Sequence, residues 1–379
     1  MNEPTNEPAN APPLVTRPEP EGAPALAPVP VPRRPRPGLI EAGLWCGVFL
    51  GTQLLCLIVV TSAAFVAHVY AHPEPRRFTD EQLAAVGKWA AKEPGAAIPA
   101  EFAQSLAWGM LASQVASLGL ILLIVPRRVG PDWKRQLGVR PPRAIHVLLV
   151  LLVAPGFLLV PDLVQQAVQW ATGAEPPSLR EIPAIFAPFP WALTLLAVAV
   201  GPGVVEEFWF RGFLGRGLCA RYGLGAGVLL SSLFFALAHM SPAMLLVYTL
   251  MGAYLHFVYL ATRSIWPGVL LHALNNGIGI SIMLAFPDAA GDTSVHPAVF
   301  LMAVALVCFG GVAFWTSRGE LAPVRGAEGE PWVPESPRVS APPAGANVRL
   351  AYAPVSPAAL LFTVLSLGAL VALAVQFSR

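Results

Sequence analysis

Residues 190–215 read PWALTLLAVAVGPGVVEEFWFRGFLG, an apolar run long enough to cross a bilayer that nevertheless carries Glu206, Glu207 and Arg211. Each charged side chain at the centre of a membrane costs roughly 2.5–3.5 kcal/mol on insertion scales, so three of them together require burial against protein, mutual pairing or a water-filled cavity. A bundle of membrane helices with a polar interior provides such a setting. Later apolar stretches add further polar groups, His239 in one and His272 with Asn276 in another. Together these residues suggest a hydrolytic centre inside a membrane.

The rest of the chain supports that fold. Hydrophobic residues make up 55% and charged residues only 12%, about half the usual charged share of a soluble protein. The expectation is an all-α, polytopic transmembrane bundle of about 8–9 spans, placed near residues 42–71, 105–125, 144–164, 190–215, 224–240, 243–260, 265–285, 297–316 and 356–377. A net charge of +2 gives no reason to expect nucleic-acid binding. Cys46, Cys56, Cys219 and Cys308 lie in or beside apolar spans without C-x-x-C spacing, which indicates free thiols and no cysteine-based metal site.

Residues 1–38 are rich in Pro, Ala and Glu and read as a disordered, partly polyproline tail, too long and polar to open a cleaved signal peptide. Residues 39–180 are expected to hold the first membrane helices, with an interfacial or extracytoplasmic helix within 72–104. A span within 286–317 is followed by a second Pro-rich linker at 318–354 and a last span within 355–379. Most of the 24 Lys and Arg residues fall on the side of the amino terminus, including Arg127, Arg128, Lys134, Arg135, Arg140 and Arg143 in one loop. The positive-inside rule therefore sets the amino terminus in the cytoplasm and the carboxyl terminus outside, in a multi-pass protein of the cell membrane.

Helical spacing sorts the polar residues. Glu207 and Arg211 are four apart with the acid first, the favourable order for a side-chain pair, while Glu206 is turned about 100° away and can face another neighbour. The plain alternative is that both acids clamp the arginine. Gly201-Pro202-Gly203 removes one backbone donor and should loosen the helix, either as an ordinary kink or as the edge of a hydrated pocket. Phe235 and His239 share one helix face, as do His272 and Asn276, with Asn275 on the adjoining strip. An imidazole beside a carboxamide can donate to a developing oxyanion or simply join helices. His256 has no partner at helical spacing and reads as structural.

The ordered set E-E-x-x-x-R, F-x-x-x-H and H-x-x-x-N on three separate spans resembles the CPBP family of intramembrane endopeptidases, which includes the type II CAAX prenyl proteases and proteins of bacteriocin processing and immunity. The resemblance covers about residues 185–285, and all three motifs match without a substitution. It implies that Glu206 is the catalytic carboxylate, with His239 its partner in activating water. Glu207 and Arg211 complete the first motif, Phe235 fills the aromatic position of the second, and His272 with Asn276 stabilises the oxyanion. The implied partners are the lipid bilayer and a peptide or membrane-protein substrate, prenylated or not. The implied chemistry needs no cofactor; a Zn2+ site built on the two histidines and a glutamate is the alternative, although the chain has no H-E-x-x-H helix and Asn276 is a poor zinc ligand. A non-catalytic immunity or scaffold protein, and a proton pathway through the acids, are the other readings.

Overall fold

Apolar length is the first determinant of the architecture. In the computed structural model, eight helices are long and apolar enough to cross a membrane, and a shorter apolar helix joins them. The structure describes residues 37–71, 80–91, 93, 97–173, 181–287, 295–328, 330–334, 336 and 338–377. The amino-terminal tail as far as residue 36 lies outside the described residues, as do 72–79 within the segment read as interfacial.

Helix α1 (Leu39–Ala71) packs along α3 (Ala100–Val129), with the short α2 (Asp80–Ala90) between them in sequence. A single turn, α4 (Trp133–Gln136), occupies the basic loop before α5 (Ala144–Thr172). After α6 (Glu181–Phe186), the chain runs as one continuous helix from Trp191 to Tyr222. That helix comprises α7 (Trp191–Leu195), α8 (Gly201–Glu206) and α9 (Arg216–Tyr222), separated by wider π-helical stretches at Leu196–Val200 and Glu207–Gly215. The hairpin of α10 (Leu224–Ala238) and α11 (Leu245–Thr262) follows, then α12 (Trp266–Ala285), α13 (Pro297–Thr316) and α14 (Pro357–Phe377).

Contacts between loops fix which ends of the helices lie together. Leu39 N donates to the Tyr222 hydroxyl at 3.0 Å, Arg128 reaches Glu41 at 3.6 Å, and Ile265 N donates to the Gly138 carbonyl at 3.0 Å. Because Tyr222 and Ile265 lie at this common end, α10 must run away from it and α11 must return. Fifteen residues reach only about 22 Å, less than the roughly 30 Å of a hydrocarbon core, so the turn after α10 ends within membrane depth. His239 caps α10 at this turn. Gly227 is required where α9 and α10 meet, since a Cβ there would collide with the Cys219 backbone.

The Pro-rich linker at 318–354 carries a little regular structure of its own. It contains an antiparallel pair, β1 (Gly319–Pro323) and β2 (Val348–Tyr352), with Leu321 opposite Leu350. Arginines from the common end hold its carbonyls: Arg135 donates to Pro342, Arg263 to Ser340 and Arg143 to Ala353. The two strands are a small addition to an otherwise helical bundle. The four cysteines are free thiols.

The buried centre around residues 205–218 is aromatic. Trp209, Phe210, Phe213 and Leu214 are buried with Phe49 of α1 and Phe235 of α10. Phe210 meets Phe49 and Phe235 edge to face, at centroid distances of 5.3 and 5.5 Å. Such rings bury much apolar area and hold a defined geometry, which makes the charged residues between them difficult to displace.

Candidate active site

The helix that carries the acids changes pitch just before it reaches them. Pro202 has no N–H to give to the Val198 carbonyl four residues earlier, and the stretch Leu196–Val200 has relaxed into a π turn. Asn276 of α12 answers that carbonyl, its Nδ2 donating at 3.1 Å. The second π stretch contains Glu207 and Arg211, and all nine of its residues are buried. Single-turn departures of this kind occur often at functional sites because they re-aim side chains without ending the helix.

Glu207 is completely buried, and its Oε1 accepts from Arg211 Nη1 at 2.7 Å. Arg211 also donates Nη2 to the Gly252 carbonyl at 3.2 Å, and its guanidinium carbon lies 4.3 Å from the centre of the Phe235 ring. A carboxylate, a carbonyl and a ring face thus enclose the cation. The absence of a side chain at Gly268 leaves room for the acid, because a Cβ would stand 3.0 Å from Glu207 Oε2.

Glu206 is arranged differently. It makes no direct bond to Arg211, and its Oε2 lies 3.9 Å from His272 Nε2, too long for a hydrogen bond. That oxygen is buried and has no donor among the described residues. An ionised carboxylate oxygen is an acceptor only, so a buried one without a donor is suited to a water or a substrate group.

His272 stands between the two acids, its Nδ1 lying 3.0 Å from Glu207 Oε1 and its Nε2 on the Glu206 side. Donation of the Nδ1 proton to Glu207 fixes the ring and gives Nε2 to the space beside Glu206. His239 Nδ1 lies 2.8 Å from the Phe235 carbonyl, and its ring is held by Phe235 and by Tyr248, at centroid distances of 4.7 and 4.2 Å. The Phe235 centroid is also 5.9 Å from that of His272, so this one ring touches both histidines and Arg211. His239 has no hydrogen bond to Glu206 among the described residues.

The six residues Glu206, Glu207, Arg211, Phe235, His239 and His272 therefore form one cluster. Asn276, four positions after His272, has its amide engaged: one N–H goes to Val198, and its Oδ1 accepts from Asn275 Nδ2 at 3.1 Å. The second N–H of the carboxamide remains for another acceptor. His256 is buried elsewhere, 3.7 Å from Cys219 Sγ. Tyr248, Gly252 and Gly268 were not singled out from sequence, and only their contacts across helices identify them. A tyrosine at the start of the helix that follows a histidine-bearing turn is the one available signal.

An apolar cleft of about 540 Å³ opens between the Trp191–Val200 stretch and α12. Leu195, Ala199, Ala273 and Gly277 line it, and the latter two flank the contact from Asn276 to Val198. Among the described residues, no three His, Cys, Asp or Glu side chains are grouped as a metal-ligand set. Glu207 Oε1 is taken up by Arg211 and His239 Nδ1 by a carbonyl, while Glu207 Oε2, like Glu206 Oε2, is buried without a donor among the described residues.

Residues 188–278 match the family model described as type II CAAX prenyl endopeptidase Rce1-like. All three motifs fall inside that segment, and they are the residues that build the cluster. No curated protein and no solved structure matches the chain significantly.

Proposed function

We propose that this Rce1-like, CAAX-type intramembrane protease cuts membrane-associated peptides or proteins with a water activated by Glu206. The observation that carries the reading is the Glu206 carboxylate, which makes no direct bond to Arg211 and whose buried Oε2 has no donor among the described residues and lies 3.9 Å from His272 Nε2. Glu206 takes a proton from the water, and the resulting hydroxide attacks the scissile carbonyl. His239, clasped between Phe235 and Tyr248, assists in positioning and deprotonating that water.

Negative charge then grows on the carbonyl oxygen. His272, in its doubly protonated form with Nδ1–H held by Glu207, donates to it from Nε2, and the second N–H of Asn276 donates beside it. Glu206 returns its proton to the departing amine, which restores the carboxylate. In this scheme Glu207 and Arg211 orient His272 and do not touch the reacting atoms.

The apolar cleft beside Asn276 supports entry of substrate from the lipid side, so the recognised part is an apolar, membrane-embedded segment. The amino terminus and the basic common end face the cytoplasm of a cell membrane, in keeping with the loop arginines. A reporter fused after Arg379 tests that orientation, with an extracytoplasmic signal expected and a cytoplasmic one contradicting it.

Zinc-activated water is the competing chemistry. Purified protein is assayed on a membrane peptide before and after chelation, with elemental analysis of the same sample. Unchanged turnover is expected; stoichiometric zinc together with zinc-restorable activity would replace the Glu206 scheme.

A further inference from the structure

At the common end of the helices, Arg135, Arg140, Arg263 and Arg338 line one cavity of about 20 Å³, closed by Tyr259 and the linker residues Ser340 and Pro342. It adjoins an open groove of about 630 Å³ whose walls include Lys134, Arg135, Arg140 and Pro342. Arg140 and Arg135 thus belong to both spaces, and a negatively charged group has a route from one to the other.

Among the described residues the carboxylates nearby are fewer than the cations. Glu320 lies 3.5 Å from Arg338 but is shared with Arg318 at 2.7 Å, and Asp132 lies 3.4 Å from Arg135. Among the described residues Arg140 has no carboxylate within ion-pair distance, and its Nη2 donates to the Arg135 carbonyl at 2.9 Å. Arg263 donates to the Ser340 carbonyl at 3.3 Å and is only 9% exposed. Burial lowers the Arg263 guanidinium to about 10; Tyr259 works against that shift, while Arg140 and Arg338 add to it. Four guanidinium groups brought this close around one cavity repel one another and are relieved most directly by an anion.

We propose that this arginine cradle binds a phosphate oxyanion, drawn either from the headgroup of an anionic phospholipid or from free phosphate. Guanidinium groups match phosphate oxygens in geometry, and basic pockets between helices at the positive face of a membrane are suited to headgroups. The enclosed cavity holds one water-sized group, so a single phosphate oxygen enters it while the rest of the anion lies in the groove. Bound there, the anion would tie the linker, through Arg338 and the backbone at Ser340 and Pro342, to the turn between α11 and α12. The cradle is separate from the peptidase cluster, and its test does not depend on that reading.

The full chain is placed in nanodiscs of phosphatidylcholine alone, and its unfolding midpoint is followed with inorganic phosphate against chloride of equal ionic strength. A second set of discs contains one fifth phosphatidylglycerol. A saturable rise of a few degrees is expected in at least one arm: with phosphate if the soluble anion suffices, with phosphatidylglycerol alone if a headgroup is required. Arg140→Gln and Arg338→Gln should each remove the rise while keeping the midpoint in plain discs near that of the parent. Arg338 is the safer of the two, because its side chain is partly exposed. No rise beyond the chloride control in either arm, or an undiminished rise in Arg338→Gln, would overturn the proposal.

Discussion

Arginine is used in two ways in this molecule. Inside the helix that carries the first motif, Arg211 is 1% exposed and bonded to a carboxylate at 2.7 Å, with a carbonyl and an aromatic face completing its shell. At the common end of the bundle, Arg135, Arg140 and Arg263 each donate to a backbone carbonyl and crowd one another around a cavity. The difference follows from solvent. A cation within membrane depth needs a full counter-charge, whereas one at the membrane face can be satisfied by dipoles, water or a passing anion. The first setting makes a rigid device for orienting His272; the second makes an adaptable clasp on the linker.

The sharpest way to break this comparison is to remove the buried cation. Arg211→Gln leaves Glu207 charged with only the His272 contact to compensate it, and a loss of about 3–5 kcal/mol is expected from breaking one side of a buried pair. The unfolding midpoint in detergent measures it, and an unchanged midpoint would mean that the pair does not organise the cluster. Glu207→Gln should be similarly destabilised, while Glu206→Gln should not be.

A smaller effect separates the structural duty of Asn276 from its chemical one. Asn276→Ala strands the Val198 carbonyl, at a cost of about 1–3 kcal/mol for a buried unsatisfied group. Pro202→Ala restores a backbone N–H that can serve Val198, so the stability lost by Asn276→Ala should shrink in that background. Peptidase activity should stay low in the double variant. Recovery of activity together with stability would show that Asn276 acts only by holding the helix.

Ring packing on His239 gives a weaker response again. Tyr248→Phe keeps the stacked ring and should leave turnover close to that of the parent, whereas Tyr248→Ala removes contacts worth roughly 0.5–1.5 kcal/mol and should lower kcat several-fold. Equal losses in the two variants would instead point to the hydroxyl. The smallest change is expected at the rim. Arg128→Gln breaks a pair whose side chains are 45% and 26% exposed, and the midpoint should move by less than the equivalent of about 1 kcal/mol.

Much of this organisation is legible in the sequence because it follows from length and spacing. The long apolar runs foretell the membrane helices, and the four-residue interval foretells the Glu207–Arg211 pair. The loosening at Pro202 is readable too, since a proline always withholds a donor. What fills the gap is not readable, because Asn276 comes from another helix and no local rule links it to Val198. The same holds for Tyr248 against His239 and for Gly268 beside Glu207. Strands β1 and β2 escaped notice for a related reason: five residues each, in a Pro- and Ala-rich setting, give too few alternations to separate from an irregular linker. The arginines that hold the rest of the linker lie far away in sequence.

On the proposed mechanism Glu206 is the general base and Glu207 is not, and cleavage by Glu206→Gln separates the two. Parent and variant are reconstituted in the same bilayer with a membrane peptide that the parent cuts, and single-turnover rates are compared with unfolding midpoints. A fall in rate of about 10²–10⁴-fold at an unchanged midpoint is expected, since the amide keeps the shape of the side chain but cannot take the proton. A Glu206→Gln protein that still cuts at the parental rate would contradict that mechanism.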